Sequence, residues 1–250
     1  MKKLRRRLHL WVLEKLGRET EVFAPHGIRV RVPANSDPMV RYNLARGRPY
    51  EAPEAEMVST YLEPGTHVIE LGGCMGILSA LVRQKIGPEA RHVIVEALPD
   101  LAAICEENAS IGAAPGKTTV IRAAVDYSGA ESVTFAVARD AHSGHIARSG
   151  ENGVTVPAIR LSDLARQLPD GRFALLCDIE GAEIAMVDAE ADTLQRVSLF
   201  ILETHPKLYP GKKAAQRDLM GKIEAAGFEK ANEIADVVCY RRAKSGLPSI

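Results

Sequence analysis

The sequence predicts an α/β protein built on a doubly wound, mainly parallel seven-stranded sheet with helices on both faces. Short apolar runs alternate with segments of helical apolar spacing, beginning with residues 67–71, 77–86 and 92–96. Such alternation favours parallel strands joined by crossover helices. A glycine-rich turn follows the first of these strands, at the point where sheets of this kind bind ligands.

The N-terminal 53 residues form a predicted extension with short elements of its own. Residues 4–17 have helical apolar spacing, residues 20–33 alternate as a short β element, and residues 35–53 are polar. A helix over 54–62 then opens the main domain, which we expect to span 54–245.

The remaining elements of the main domain end in a hairpin. Helices are predicted over 99–111 and 213–226, and a polar loop over 139–152. The hairpin would add an antiparallel strand at the far edge of the sheet. The predicted strands are 118–125, 131–137, 153–159, 173–177 and 199–203, followed by the hairpin strands 228–232 and 236–242.

Composition and charge fit a cytoplasmic globular protein. Of the 250 residues, 46% are hydrophobic, and the 32 basic residues balance 32 acidic ones, so no global field favours nucleic acid or a membrane. No apolar stretch reaches the ~18 residues of a transmembrane helix. Four widely spaced cysteines without a CxxC pair indicate reduced thiols.

The basic charge is local to the N-terminus, where five of the first seven residues are Lys or Arg. The apolar run from Leu8 to Leu13 that follows is too short for a signal peptide. We expect a solvated helix or the contact of a homodimer, with a surface for anionic lipid or RNA as the alternative.

The turn Glu70-Leu71-Gly72-Gly73-Cys74-Met75-Gly76 is the predicted cofactor loop. Glycine permits positive φ and close approach of a ligand, and the following helix presents free N–H groups. Cys74 replaces the middle glycine of a dinucleotide fingerprint. The turn instead fits the acidic-x-Gly-x-x-x-Gly pattern of class I methyltransferases, with Gly72, Gly73, Cys74 and Gly76 around a methionine tail and Glu70 near its ammonium group. A tight turn without a ligand is the alternative.

Glu96 ends the second strand, twenty residues after Gly76. An acidic side chain there accepts hydrogen bonds from both ribose hydroxyls of a nucleoside, although NAD-binding folds share this device. Ala97 and Ala124 are expected beside the same cofactor.

The acidic motif Asp178-Ile179-Glu180-Gly181-Ala182-Glu183 follows the strand 173–177. Asp178 should emerge at the carboxyl end of that strand, with Glu180 in the turn and a helix beginning near Ala182. Glu183 is explained by the helix dipole. We predict a site role for Asp178 and Glu180, with capping as the alternative.

His205 follows the next strand, directly after Glu203 and Thr204. Imidazole titrates near neutral pH, so His205 could be a general base, while a structural or exposed histidine is the alternative. Asp178, Glu180 and His205 could instead bind Mg²⁺, although we predict no metal.

These segments together resemble the FkbM family of methyltransferases over roughly residues 55–242. The matching pieces are VIELGGCMG, HVIVEALPD, RAAVDYSG, VPAIRLSDL, LLCDIEGAE and LFILETHP. The resemblance implies a class I, Rossmann-like fold, S-adenosylmethionine as methyl donor, and O-methylation of a hydroxyl on a sugar, polyketide or other small metabolite. Asp178 or His205 would accept the hydroxyl proton, Glu180 would orient acceptor or cofactor, and Asp178 would also contact the cofactor.

The chain departs from the family pattern at three points. Glu70 and Gly73-Cys74 replace the usual Asp and Ala-Asn of the turn, and Leu176 replaces a frequent Lys, so no particular substrate is implied.

Three other functions compete with this reading. An NAD(P)-dependent oxidoreductase would need GxGxxG, and a base N-methyltransferase would have Asp/Asn-Pro-Pro-aromatic where this chain has DIEG. A degenerate methyltransferase acting as a binding module is the non-enzyme alternative. The loop 139–152, with His142, Ser143, Gly144 and His145, could be a mobile lid or an ordinary solvated loop.

Overall fold

The computed structural model describes residues 2–17, 20–137, 144–146 and 152–242, which form an α/β fold. The strands are β1 (Val22–Phe23), β2 (Val30–Arg31), β3 (Val68–Leu71), β4 (His92–Val95), β5 (Thr118–Ile121), β6 (Ala124–Val125), β7 (Ser132–Val137), β8 (Gly144–Ile146), β9 (Val154–Ile159), β10 (Phe173–Cys177), β11 (Val197–Glu203), β12 (Phe228–Ile234) and β13 (Val237–Arg242). The helices are α1 (Lys2–Lys15), α2 (Pro38–Ala45), α3 (Ala52–Tyr61), α4 (Ile77–Ile86), α5 (Pro99–Ala109), α6 (Leu161–Ala165), α7 (Glu183–Ala189), α8 (Ala191–Leu194) and α9 (Lys213–Ala225).

Among the described residues, seven strands form the central sheet in the order β12-β13-β11-β10-β3-β4-β5. Neighbouring strands are parallel, except that β13 runs antiparallel to both β11 and β12. The predicted fold class is confirmed. The hairpin places its antiparallel strand inside the sheet, however, and not at the edge as predicted, because β13 inserts between β11 and β12.

The predicted strand 118–125 is two strands, because the chain leaves the central sheet after Ile121. β5 pairs with β4, whereas β6 pairs in parallel with β9, with Ala124 opposite Ala158. β9 and β7, which match the predicted strands, are antiparallel partners in a small sheet of order β6-β9-β7-β8. This change of sheet places β6 beside the ligand cleft described below.

Helix α2 lies within the stretch 35–53, for which no helix was predicted. The side chain of Asp37 caps it by accepting a hydrogen bond from the N–H of Met39 at 2.5 Å, and Pro38 occupies its first turn. The short helices α6 and α8 also went unpredicted, since each is too brief to show a helical period. The predicted β element over 20–33 is the small hairpin of β1 and β2.

Alternate residues of the buried strands face two apolar cores, one on each side of the sheet. In β10, Leu175 belongs to the core beneath α6, α7 and α9, whereas Leu176 belongs to the core beneath α3 and α4. The second core also contains Phe23 and Val40 of the N-terminal extension. The boundary at residue 54 stays a prediction. No helix among the described residues has the length and apolar character needed to cross a membrane.

Arg83 is a fully buried charge near the end of α4. Its guanidinium donates to the carbonyls of Gly87 and Ala90 at 2.8 Å each. It also donates to the carbonyl of Lys117 at 3.0 Å and to the hydroxyl of Thr118 at 3.1 Å. Arg83 therefore ties the end of α4 to the segments that enter β4 and β5.

We expect Arg83→Ala to lower the free energy of unfolding by about 3 kcal/mol or more, because several backbone carbonyls lose their donor. Urea-induced unfolding followed by circular dichroism measures this change. Gln84→Ala, an exposed substitution on the same helix, is the control and should stay within about 0.5 kcal/mol of the wild type. Equal effects of the two substitutions would contradict the structural role of Arg83.

Candidate functional site

A cleft of about 620 Å³, part of it open to solvent, lies at the carboxyl ends of β3, β4 and β10. Its position, beyond the carboxyl ends of the strands, is that of ligands in doubly wound sheets. Many of the predicted site residues line it. They are Gly72, Cys74, Glu96, Ala97, Ala124, Asp178 and Glu180.

The three glycines of the turn are needed at their positions for different structural reasons. At Gly72, φ is 93°, and a Cβ atom would lie 2.0 Å from the carbonyl oxygen of Asp178. Cβ atoms at Gly73 and Gly76 would lie 2.4 Å from a β4 side chain and 2.7 Å from the backbone of α5, respectively. Neither Gly73 nor Gly76 lines the cleft. These two glycines allow close packing beneath the turn, and their contact with a cofactor stays a prediction.

Cys74 connects the turn to Glu96. Its φ of 46° is uncommon for a residue other than glycine, and its backbone N–H donates to the Glu96 carboxylate at 2.8 Å. The hydroxyl of Tyr50 donates to its Sγ at 3.8 Å. Because burial raises the pKa of the Cys74 thiol, the side chain is a neutral part of the cleft wall.

Glu96 is a buried carboxylate at the end of β4. Its two oxygens accept hydrogen bonds from the backbone N–H groups of Cys74 and Leu98, each at 2.8 Å. Burial raises the pKa of Glu96 to about 7, although these N–H groups oppose the shift. A carboxylate has about four acceptor positions, so these two bonds orient Glu96 without saturating it.

Glu70 lies beneath the turn and does not line the cleft. One of its carboxylate oxygens accepts a hydrogen bond from the Ser79 hydroxyl at 2.7 Å, and the other lies 2.7 Å from Nε2 of His92. All three side chains are buried. Glu70 thus joins β3 to α4 and β4, and its predicted contact with an ammonium group stays a prediction.

A second cavity, of about 360 Å³, shares Gly72 and Asp178 with the cleft. Burial and the neighbouring Glu54, which is hydrogen-bonded to Glu203, together raise the pKa of Glu203 to about 7, although His205 opposes the shift. Glu51 and Glu54, at the start of α3, were not predicted as site residues. The carboxylates that line this acidic cavity are Glu51, Glu54, Glu70, Asp178 and Glu203.

His205 stands among the carboxylates at the ends of β10 and β11. Its Nδ1 lies 2.7 Å from Oε1 of Glu183, whose side chain is completely buried. Its Nε2 lies 3.4 Å from Asp178, 3.5 Å from Glu180 and 3.8 Å from Glu203. Burial lowers the pKa of His205, but the bond to Glu183 and the surrounding carboxylates outweigh burial and raise it to about 9. The carboxylates around His205 thus favour its charged, imidazolium form.

Asp178 connects this cluster to the cleft. Its backbone N–H donates to the carbonyl of Leu71 at 2.9 Å, and among the described residues its buried Oδ1 has no hydrogen-bond partner. Burial, followed by repulsion from Glu203, raises the pKa of Asp178 well above its usual value, while His205 lowers it. The structure thus brings together the three predicted catalytic residues, Asp178, Glu180 and His205.

One atom each of Asp178, Glu203 and His205 lie within 4.8 Å of one another, a spacing that would suit a metal ion. The metal alternative considered for the sequence has Glu180 in the place of Glu203. The protonated His205 supplies a positive charge at the same point, and the prediction that no metal is needed stays a prediction.

The apolar wall of the cleft was not predicted. Leu98 and Leu101 at the start of α5, Phe135 of β7 and Ile179 of the acidic motif line it. Apolar residues at element ends carry no motif, so the sequence could not separate these side chains from the core.

The predicted lid over 139–152 lies largely outside the described residues, including His142 and Ser143. Within it the structure describes Asn152 and the backbone of Gly144–Ile146, which pairs with Phe135–Val137 as β8.

Two kinds of comparison relate the chain to known proteins. A 105-residue segment is 33% identical to a protein-L-isoaspartate O-methyltransferase of Triticum aestivum, covering 41% of this chain and 44% of that protein. The chain thus matches less than half the length of this curated relative. Among solved structures, Aeropyrum pernix fibrillarin is 12% identical over 76% of this chain and 73% of its own, with a TM-score of 0.45. A TehB-like SAM-dependent methyltransferase of Corynebacterium glutamicum is 10% identical over 82% and 94%, with a TM-score of 0.44.

The family model of the methyltransferase FkbM domain matches residues 72–230, which is more than half of the chain. The match begins at Gly72 of the turn and includes Glu96, the acidic motif and His205. It confirms the predicted family, and with that family comes S-adenosylmethionine as the methyl donor. The chain belongs to the FkbM family of methyltransferases.

Proposed function

We propose that this methyltransferase methylates a hydroxyl group on a small, uncharged, polyhydroxylated molecule such as a sugar or a polyketide. The position of Asp178 is the observation that supports this most strongly. Asp178 borders both the cleft and the acidic cavity, so it lies where a donor in one and an acceptor in the other would meet.

The cleft has the groups that S-adenosylmethionine requires. Glu96, which lines the cleft, would accept hydrogen bonds from the ribose hydroxyls, and Leu98, Leu101 and Phe135 would supply an apolar surface for the adenine ring. When bound, this cofactor supplies a methyl group that its sulfonium has already activated.

Asp178 is the proposed general base. A carboxylate whose pKa is raised toward the working pH accepts a proton more effectively than an ordinary one. His205 does not suit this task, because its pKa of about 9 leaves it protonated at neutral pH. His205 instead stabilises the ionised form of Asp178, and Glu183 fixes the orientation of its ring. Alignment of the acceptor supplies much of the remaining acceleration.

The acidic surroundings disfavour a carboxylate as the methyl acceptor. Asp178, Glu180, Glu203 and Glu54 would repel an acidic substrate, such as the isoaspartyl group named for the wheat relative. The same carboxylates can accept hydrogen bonds from the several hydroxyls of a neutral polyol.

We expect methyl transfer from labelled S-adenosylmethionine to a pool of neutral polyols and polyketides, but not to isoaspartyl peptides or other carboxylates. Dialysis against EDTA should leave this activity unchanged, because protonated His205 supplies the positive charge at the cluster. Activity toward carboxylates alone would contradict the proposal. Activity that EDTA abolishes and Mg²⁺ restores would assign Asp178, Glu203 and His205 to a metal instead.

Glu96→Gln should raise the Kd for S-adenosylmethionine about 10- to 100-fold, because charge-assisted hydrogen bonds to the ribose are lost. Isothermal titration calorimetry measures this effect. Glu106→Gln changes an exposed carboxylate on α5 and should bind as the wild type does. An unchanged Kd in Glu96→Gln would show that Glu96 does not bind the ribose.

Asp178→Asn should lower kcat at least about 100-fold, which is the lower range of a general base's contribution, with little change in cofactor affinity. His205→Gln should retain turnover, but the pH range over which turnover rises should change. The rate rises with pH as Asp178 ionises, and loss of the imidazolium raises the pKa of Asp178. In the pH profile of kcat/KM, the rise on the acidic side should therefore occur at higher pH.

Asp170→Asn, an exposed change before β10, is the control and should keep full turnover. Near-normal turnover in Asp178→Asn would exclude it as the base. If the acidic-side rise of kcat/KM occurs at the same pH in His205→Gln and in the wild type, His205 does not act on Asp178.

A further inference from the structure

Helix α1 packs on α2 through the face that carries Leu10 and Glu14. Leu10 is 3% exposed, and the rings of His9 and Tyr42 meet edge-on with centroids 5.1 Å apart. Glu14 accepts a hydrogen bond at 3.3 Å from the guanidinium of Arg41, which is itself buried. These contacts fix which face of α1 is turned toward solvent.

The outward face of α1 is apolar. Its large side chains follow one another at intervals of about one helical turn and so form a single apolar stripe. The apolar stripe consists of Leu4 (74% exposed), Leu8 (57%), Trp11 (53%) and Val12 (40%), with Leu16 (69%) directly after the helix. Elsewhere among the described residues, the exposed large hydrophobic side chains are Met39, Ile111 and Val154, at 36–41%. These three lie in widely separated parts of the chain, so the apolar stripe is a concentrated patch.

Basic residues accompany the apolar stripe. The exposed residues Arg5 and Lys15 lie beside it, and the Lys15 ammonium is 5.8 Å from the centre of the Trp11 ring. Glu14, the one acidic residue of the α1 sequence, is paired with Arg41. The basic residues of the helix are Lys2, Lys3, Arg5, Arg6, Arg7 and Lys15.

We propose that the apolar stripe docks the protein on an anionic lipid bilayer, with α1 lying in the plane of the headgroups. Leu and Trp on one face with Lys and Arg beside them are the composition of an interfacial helix. Trp favours the boundary between headgroups and acyl chains, and basic residues are attracted to anionic lipid.

Charge and polarity favour lipid over two other partners. RNA would pair with the basic groups but would leave the leucines of the apolar stripe in water. A second copy of the chain would bring two helices with six basic residues each against one another, which like-charge repulsion opposes. An anionic bilayer satisfies both the charge and the apolar surface.

Trp11 is the one tryptophan in the sequence, so its fluorescence reports on this helix without any substitution. Vesicles that contain phosphatidylserine should shift Trp11 emission to shorter wavelength and should sediment with the protein. Pure phosphatidylcholine vesicles should do neither. Added salt should release the protein, because it screens exposed charges.

Absence of both effects with phosphatidylserine vesicles would overturn the proposal. An emission shift that needs no lipid and accompanies a doubled mass would assign the apolar stripe to a second copy. Binding to an RNA homopolymer without binding to vesicles would assign the basic residues to nucleic acid. Either of these results also overturns the proposal.

Leu8→Ser should weaken vesicle binding at least tenfold, whereas Ile111→Ser, an exposed apolar residue outside α1, should bind as the wild type does. Arg5→Gln and Lys15→Gln should each lower binding about fivefold. All four variants should bind S-adenosylmethionine normally, which shows that they are folded. Equal vesicle binding by Leu8→Ser and the wild type would show that the apolar stripe is not the surface that binds lipid.

Discussion

The close approach of the Gly72 backbone to the carbonyl of Asp178 determines the geometry of the whole site. A Cβ atom at position 72 would lie 2.0 Å from that oxygen, and the N–H of Asp178 donates to the carbonyl of Leu71 at 2.9 Å. The ends of β3 and β10 are thus joined at the point where the glycine turn and the acidic motif begin. Because no side chain intervenes, the cleft and the acidic cavity meet at this contact.

Around this contact the structure contains clustered carboxylates and uncommon backbone conformations, both of which cost stability. Several carboxylates share a partly buried space with one imidazolium, and burial of like charges opposes their ionisation. Glu51, Cys74 and Glu180, which border the cleft or the acidic cavity, have positive φ without being glycine. Strained backbone and buried charge cost stability, and they persist where the surrounding structure holds them in place. The two apolar cores on either side of the sheet provide that support.

Local patterns were enough for the features that carry their own signal, namely the alternation of the main strands and the longer helices of the sheet, the glycine turn, and Glu96 at a strand end. Local patterns could not predict contacts between segments that are distant in the sequence. Glu183 has an adequate local explanation in the helix dipole, yet the structure places it against His205, 22 residues further along the chain. Glu54 likewise meets Glu203 only because α3 packs across β11. A pattern in sequence describes one element at a time, whereas these pairs depend on how elements pack.

The position of Glu180 has a consequence for what would happen after the methyl group has moved. Glu180 lines the cleft, so at the proposed site its carboxylate would face a donor whose sulfur is positive before transfer and neutral afterwards. Its attraction would therefore act on the incoming donor and disappear for the demethylated product. The same carboxylate that favours loading of the cleft would thus hold the spent cofactor less strongly.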